Sequence, residues 1–337
     1  MKIFAIESSC DDTAVAIVED GRKLLNHKVS SQIKDHVVYG GVVPEVASRK
    51  HIENISPLVS AVMNESKFKI SDLDAIAVTY APGLVGSLLV GVNFAKGLAL
   101  GTGLPLVPVH HIKAHIASLY LTNPDLKPPF LCLVVSGGHS HIVEVLDYTK
   151  FKVVGRTRDD AAGEAFDKIG RRLGFDYPGG VSLDKVAEKG NPNSFKLPVP
   201  LKDEENTYDF SFSGLKTAMM NIINGFNQKN QELPIYDLSA TFRESVVNCL
   251  VSNFIRAAKD KKYKVLAVAG GVSANSLLRR RLKEEADLNG FKFYMPELKF
   301  CSDNAAMVGA QGYYEFLSGK RAAMDLNACA SVDLEED

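Results

Sequence analysis

His111 and His115, in the stretch VPVHHIKAHIASLYL (107–121), are spaced in a way that could do chemistry. The apolar run LPLVPV ends at Pro108–Val109 and gives way to a helical period, in which Ile112, His115, Ile116 and Leu119 recur at three- and four-residue steps. An α-helix turns once in about 3.6 residues, so side chains at i and i+4 lie one above the other. Two neutral imidazoles stacked in this way can converge on one metal ion. No Glu follows the first of them, so the zinc-protease pattern HExxH is absent. The spacing equally fits two core or surface histidines, and corroboration must come from the rest of the chain.

The elements that would position such a site read as α/β. KIFAIESSCDDTAVAIVEDG is a strand, a tight polar turn and a strand, with Ile3, Ala5, Val15 and Ile17 alternating around the turn Glu7–Thr13. A helix follows GGVVPEVASRKH, with Ile52, Ile55, Val59, Val62 and Met63 on one face and a kink or restart at Pro57. LDAIAVTY is a buried strand broken at APG, and a helix with Leu88, Leu89, Val92 and Leu98 comes next. The second half repeats the plan. FLCLVVSGGHSHIVEVLD is a hairpin, a helix carries Val246 to Ile255, and KVLAVAGG is a strand whose Gly-turn opens the helix NSLLRRRLKEE. GEAFDKIGRRLGF and SGLKTAMMNIINGF are helical insertions, the latter with Ser213 as N-cap. NPNSFKLPVPLKDEENTYDF is a Pro- and charge-rich loop, and the acidic tail from Ser331 is expected to fray. This predicts an N-terminal lobe (1–110), a C-terminal lobe with insertions (111–325) and a tail (326–337).

Duplicated halves predict a cleft between them as the default ligand site. The turns Ser8–Asp11 and Ser136–His139 would point into it, and a third, Gly270–Asn275, opens a helix whose N-terminus favours an anion. Three such turns at matching places point to a nucleotide.

Composition sets the bounds. At 337 residues, 46% hydrophobic and 23% charged, the chain can bury a large core over two domains or lobes. Five cysteines with no CxxC pair indicate reduced thiols and a cytoplasmic setting. Lys2 leads directly into a short apolar strand and Glu7, so no signal peptide is expected, and the apolar run Ala81–Ala95 is too short and too interrupted by Pro and Gly to span a membrane. A net charge of −1 predicts no polyanion partner by itself. The charge is uneven, however, with basic clusters at 256–264, at Arg279–Lys283 and at Arg156, Arg158, Arg171 and Arg172, each either a solvated face or a footprint for phosphates.

Ten motifs resemble one known family: IESSCDDT (6–13), HVVYGGVVPEVASRKH (36–51), YAPGLVGSLLVG (80–91), VHHIKAHI (109–116), VSGGHS (135–140), DDAAGEAFDKIGRRLG (159–174), YPGG (177–180), FSFSGLKT (210–217), AGGVSAN (269–275) and CSDNAAM (301–307). In order and spacing they are similar to the TsaD family, once described as a glycoprotein endopeptidase, in its bacterial form. The resemblance implies a duplicated actin/Hsp70/sugar-kinase-like fold of two lobes around a nucleotide cleft. It implies transfer of an L-threonylcarbamoyl group from threonylcarbamoyl-AMP to N6 of the adenosine 3′ of the anticodon, in tRNAs reading codons that begin with A. His111, His115 and Asp303 would be the metal ligands, a set that suits Fe(II), one ion per subunit, with Zn(II) the alternative. Taken alone, Asp303 also fits an N-cap for the next helix. The adenylate would touch Val134, Val135, Ser136, Gly137 and Gly138, with Asp167, Gly180, Asp184 and Asn275 binding the rest.

The mixed anhydride is already electrophilic, so the enzyme's task would be positioning and charge stabilisation. The adenine amine must lose a proton as it attacks, and Asp11 is the expected catalytic carboxylate, with Asp12 second and a turn-forming role the alternative. A sugar or acid kinase of the same fold gives no reason for HxxxH plus Asp, and a metal-dependent peptidase would need a general base beside the pair. The family further implies a TsaB-like paralogue and a TsaE-like ATPase as partners, docking on the helix from Glu45 to Asn64, with no membrane.

Overall fold

In the computed structural model, which describes residues 1–201, 204 and 206–335, the first hairpin is the seed of a five-stranded sheet. Residues 202, 203 and 205 of the charge-rich loop and the last two of the acidic tail lie outside the described residues. β1 (Lys2–Glu7) pairs antiparallel with β2 (Asp12–Glu19), which pairs with β3 (Lys23–Ser31). β4 (Ala75–Ala81) lies parallel to β1, and β5 (Leu106–His110) parallel to β4, giving the order β3-β2-β1-β4-β5.

The alternation along β1 and β2 is one of size, since both faces are buried. Ile3, Ala5, Ala14, Ala16, Ala75 and Ala77 form one face with α10 (Ala305–Leu317) and α4 (His111–Thr122) packed on it. Phe4, Ile6, Val15, Ile17 and Ile76 form the other, under α2 (Pro44–Ser66) and α3 (Val85–Thr102). The short helix α1 (Ile33–Val37) leads into α2, which runs unbroken through Pro57 where a kink or restart was expected. By length and composition α3 could cross a membrane, but Leu88, Val92, Ala95 and Ala99 are buried against α2 and β4. Its glycines do not interrupt it, because Gly86 and Gly91 let it lie against Ser48 and Ser8.

The second sheet has the order β10-β9-β6-β7-β8, from β6 (Phe130–Val135), β7 (Ser140–Val145), β8 (Phe151–Arg156), β9 (Val265–Ala269) and β10 (Lys292–Tyr294). Counting strands within each half, both sheets read third, second, first, fourth, fifth, with the fourth parallel to the first. Its core joins α5 (Ala162–Arg172), α6 (Gly179–Ala187), α7 (Ser213–Gln228), α8 (Ile235–Asp260) and α9 (Ser276–Asn289). Ser213 is the first residue of α7 and not its cap. Asp159 takes that role from a distance, accepting the Phe212 and Ser213 N–H groups at 2.7 and 3.1 Å.

Contacts divide the chain into two units, and the division differs from the expected 110/111 boundary. The first unit holds residues 1–128, 145–152 and the segment from Pro296 onward, and the second holds 129–144 and 153–295. Both α4 and α10 thus belong with the N-terminal sheet. The described part of the tail is not frayed: Leu334 is buried, and the Val332 carbonyl accepts a hydrogen bond from His110 Nε2 at 3.2 Å.

Two glycines in α10 make its close approach to the small face. A Cβ at Gly309 would meet Val18 at 2.6 Å, and one at Gly312 would meet Ala77 at 2.5 Å. Gly309→Ala is therefore expected to destabilise by about 1–3 kcal/mol through overpacking. Gly97→Ala, on α3 with open space around it, should instead stabilise by about 0.5–1 kcal/mol. Urea denaturation of the two variants checks the opposite signs.

Candidate functional site

β5 hands over directly to α4, and three histidines sit at the junction. His110 is the N-cap: its Nδ1 accepts the Ile112 N–H at 3.2 Å, so its Nε2 carries the hydrogen given to Val332. His111 and His115 follow on one face of α4, with ring centroids 4.6 Å apart. Asp303 comes from the other side, just before α10, which packs on α4. The helix cap there is Asn304, whose side chain accepts the Met307 N–H at 2.9 Å, so the capping role is filled by a different residue.

The three side chains present one ligand atom each within 4.8 Å of one another. Asp303 Oδ1 lies 3.1 Å from His115 Nε2 and 3.6 Å from His111 Nε2. Ligands held at about 2.0–2.2 Å from one ion are roughly 2.8–3.6 Å apart in octahedral or tetrahedral geometry, so the two Asp303 distances fit. His115 is fully buried, yet among the described residues neither ring nitrogen has a partner in hydrogen-bond geometry, Asp303 Oδ1 being only at ion-pair distance from Nε2. A buried imidazole in that condition is costly unless something takes its lone pair. The residues fit a metal ion.

Behind His111 lies Glu7 at the end of β1, wholly buried, with Oε2 3.3 Å from Nδ1. Burial pushes the Glu7 carboxyl up, but His111 and the Thr79 hydroxyl outweigh that and leave it below its ordinary value. Burial likewise opposes the charged imidazole, yet Asp303 and Glu7 together hold His111 up to about 9. The turn after Glu7 carries Asp11 and Asp12. Asp11 is half-buried there, while Asp12 is pushed up to about 7 by burial and by Asp303. His51 on α2 secures this turn, taking the Thr13 hydroxyl on Nδ1 (2.7 Å) and giving its Nε2 hydrogen to the Cys10 carbonyl (2.9 Å). Neither Glu7 nor His51 was marked as a site residue by sequence reasoning. Glu7 showed only as the last residue of an apolar strand, and no spacing links it to His111.

The residues expected to bind the adenylate all lie in the second unit. Val134 and Val135 end β6, and Ser136, Gly137 and Gly138 form the turn after it. Gly270, at φ +91°, sits so close to the Val135 carbonyl that no side chain would fit, which brings the Gly270–Asn275 turn beside the first. Gly163, at the start of α5, donates to the Ser136 carbonyl at 3.2 Å. Asp167 accepts the Gly180 N–H at 2.8 Å at the start of α6. Asp184 accepts the Ser276 N–H at 2.9 Å, and Asn275 caps α9 by accepting from Leu278 at 3.0 Å. The two loops thus meet beside the start of α5, while Asp167 ties α5 to the start of α6 and Asp184, further fixed by Arg243 at 2.9 Å, ties α6 to the start of α9.

With this geometry in view, the comparisons are specific. Residues 23–310 match the family described as TsaD: tRNA N6-adenosine threonylcarbamoyltransferase. The chain is 50% identical over 336 residues to the protein of that name from Clostridium botulinum (strain 657 / Type Ba4), covering 100% of this chain and 98% of the relative. It belongs to the TsaD family. A TsaD relative from Clostridioides difficile (strain 630) is 48% identical over 332 residues, 98% of each chain. Among solved structures, full-length HypF in its phosphate- and nucleotide-bound form aligns with a TM-score of 0.60 at 16% identity, over 98% of this chain and 47% of that one. Component A of (R)-2-hydroxyglutaryl-CoA dehydratase from Acidaminococcus fermentans aligns at 0.54 and 14%, over 94% and 98%. These likenesses show the duplicated actin/Hsp70/sugar-kinase-like fold. The TsaD activity is transfer of a threonylcarbamoyl group to N6 of adenosine in tRNA.

A TsaD chain must hold tRNA, yet much of its basic charge is spoken for. Arg158 pairs with Glu204 and Asp209, Arg281 with Glu244, and Arg256 with the Thr207 carbonyl. Arg279 is half-buried and donates to the Ser273 carbonyl at 3.2 Å. Arg280 and Lys283 stay exposed.

His111 generates a pH dependence. Its folded value of about 9 lies above the ordinary 6.5. The stabilisation from its carboxylates is thus complete below about 6.5 and is lost as pH rises through about 9 in metal-free protein. A metal must displace that proton, so affinity should rise roughly tenfold per pH unit up to about 9. Titration calorimetry at pH 7.5 in buffers of different ionisation enthalpy is expected to show about one proton released per ion. No proton release would contradict the assignment.

Proposed function

We propose that the donor is threonylcarbamoyl-AMP and that the acceptor is the adenosine 3′ of the anticodon in tRNAs reading codons that begin with A. The converging turns Val134–Gly138 and Gly270–Asn275 support a nucleotide site, since backbone N–H groups of Gly-rich turns and helix N-termini favour phosphate. Asp167, Gly180, Asp184 and Asn275 complete it. The observation that carries the metal part is the grouping of His111, His115 and Asp303, with His115 buried and its Nε2 3.1 Å from Asp303 Oδ1. It favours transferase over a kinase of the same fold, which has no use for such a set. A peptidase reading lacks its base, because the carboxylate nearest His111, Glu7, is closed to solvent and faces Nδ1.

His111, His115 and Asp303 would hold Fe(II), with Zn(II) the alternative, and a bound ion would supply Lewis-acid polarisation of the threonylcarbamoyl oxygens. The adenine amine forms the new C–N bond to the carbonyl carbon, the bond to the phosphate oxygen of AMP breaks, and one proton leaves the amine. We assign that proton to Asp11, in the turn that follows β1. Asp12, held near neutral, is the second carboxylate. The Gly-turn N–H groups orient the leaving phosphate. The enzyme acts in the cytoplasm with a TsaB-like paralogue and a TsaE-like ATPase, the former docking on α2, and Arg280 and Lys283 are the exposed cations we place at the tRNA backbone.

Supplied with both partners, the protein is expected to move label from threonylcarbamoyl-AMP to tRNA, and Asp11→Asn should lower kcat by about 10²–10⁴-fold with metal content unchanged. Loss of activity in Asp12→Asn but not in Asp11→Asn would move the base to Asp12. Sugar phosphorylation with ATP, or metal-dependent proteolysis, would favour a rival reading.

A further inference from the structure

We propose that Glu7 is the positioning residue of the metal centre, holding His111 by its Nδ1 side so that Nε2 is presented to the ion. The proposal rests on the metal reading above. Its basis is the register of three parallel strands. Ile6 pairs with Val78 and Thr79 with Val109, so β1, β4 and β5 end together and bring Glu7, Thr79 and His111 to one edge. There both Glu7 oxygens are engaged: Oε1 accepts the Ser9 N–H at 2.6 Å, and Oε2 accepts the Thr79 hydroxyl at 2.6 Å. The oxygen fixed by Thr79 is the one 3.3 Å from His111 Nδ1, and Ser9 Oγ lies 3.1 Å from the same nitrogen.

A neutral imidazole carries its hydrogen on one nitrogen only. With a carboxylate held against Nδ1, that hydrogen sits on Nδ1 and the Nε2 lone pair faces Asp303. Carboxylate–histidine–metal pairs of this form set the tautomer and ring orientation of a ligand and raise its basicity. Glu7 does not reach the ion's side of the ring and is sealed from solvent, so ligand and base are both excluded for it. Its second task, closing the turn through Ser9, uses the other oxygen. The two roles are therefore separable by substitution.

The test uses Co(II), whose absorption bands report ligand geometry, on metal-free Glu7→Gln, Thr79→Val and His115→Ala proteins of the full chain. Wild type is expected to bind one Co(II), and His115→Ala none. Glu7→Gln keeps the volume but sets an amide against two donors, and should bind Co(II) about 10–100-fold more weakly with shifted bands. Thermal unfolding establishes that it is folded. Should Glu7→Gln fail to fold, Thr79→Val decides, with a smaller loss and a band shift of the same sense expected. Wild-type affinity and bands in folded Glu7→Gln, or in Thr79→Val where that variant alone folds, would overturn the proposal. Co(II) retained by His115→Ala would instead overturn the metal reading itself.

Discussion

Glu7 and Asp303 stand on opposite sides of one buried imidazole, and the first unit is arranged to bring those three groups together. A fully buried carboxylate such as Glu7, with the part-buried Asp303 nearby, is expensive unless compensated. In the metal-free protein His111 supplies one positive charge, and Asp12 answers the surplus by holding its proton up to about 7. A divalent ion with two neutral imidazoles would balance both carboxylates. The charge count thus favours a cation between His111, His115 and Asp303. The groups come from separate elements: Glu7 from β1, both histidines from α4, and Asp303 from the approach to α10.

That approach is a packing problem before it is a chemical one. Asp303 reaches the histidines because α10 lies close against alanines of β1, β2 and β4, which the glycines of α10 allow. The second unit uses the same device for a different end. Gly270, Gly163 and Gly180 remove side chains where backbone meets backbone or an aspartate, leaving turns with N–H groups gathered at helix starts. Asp159, Asp167 and Asp184 then pin those starts across long sequence separations. Part of the acidic character read as substrate contact is therefore also structural.

The helical spacing of His111 and His115 was legible because four residues on a helix bring side chains together whatever the surroundings. So was the duplication, carried by apolar strands ending in Gly-rich turns. Short or half-exposed strands such as β3 and β10 were not, since burial over a few residues leaves no periodic signature. The contact units differ from the expected boundary for a physical reason: α4 and α10, far apart in sequence, cover one sheet face together, and only contact reveals it. Glu7 and His51 escaped notice because their partners lie 104 and 41 residues away. Helical spacing tells which residues share a face but not that Arg279 turns back to the Ser273 carbonyl. Motif order carried what spacing could not, the grouping of Asp303 with the two histidines above all.

The most direct test of the centre is X-ray absorption at the iron edge on anaerobically purified protein. Two imidazole nitrogens and a carboxylate oxygen, at about 2.0–2.2 Å, are expected around one ion per chain. A spectrum with sulfur neighbours, or without imidazole scattering, would contradict a His111–His115–Asp303 site.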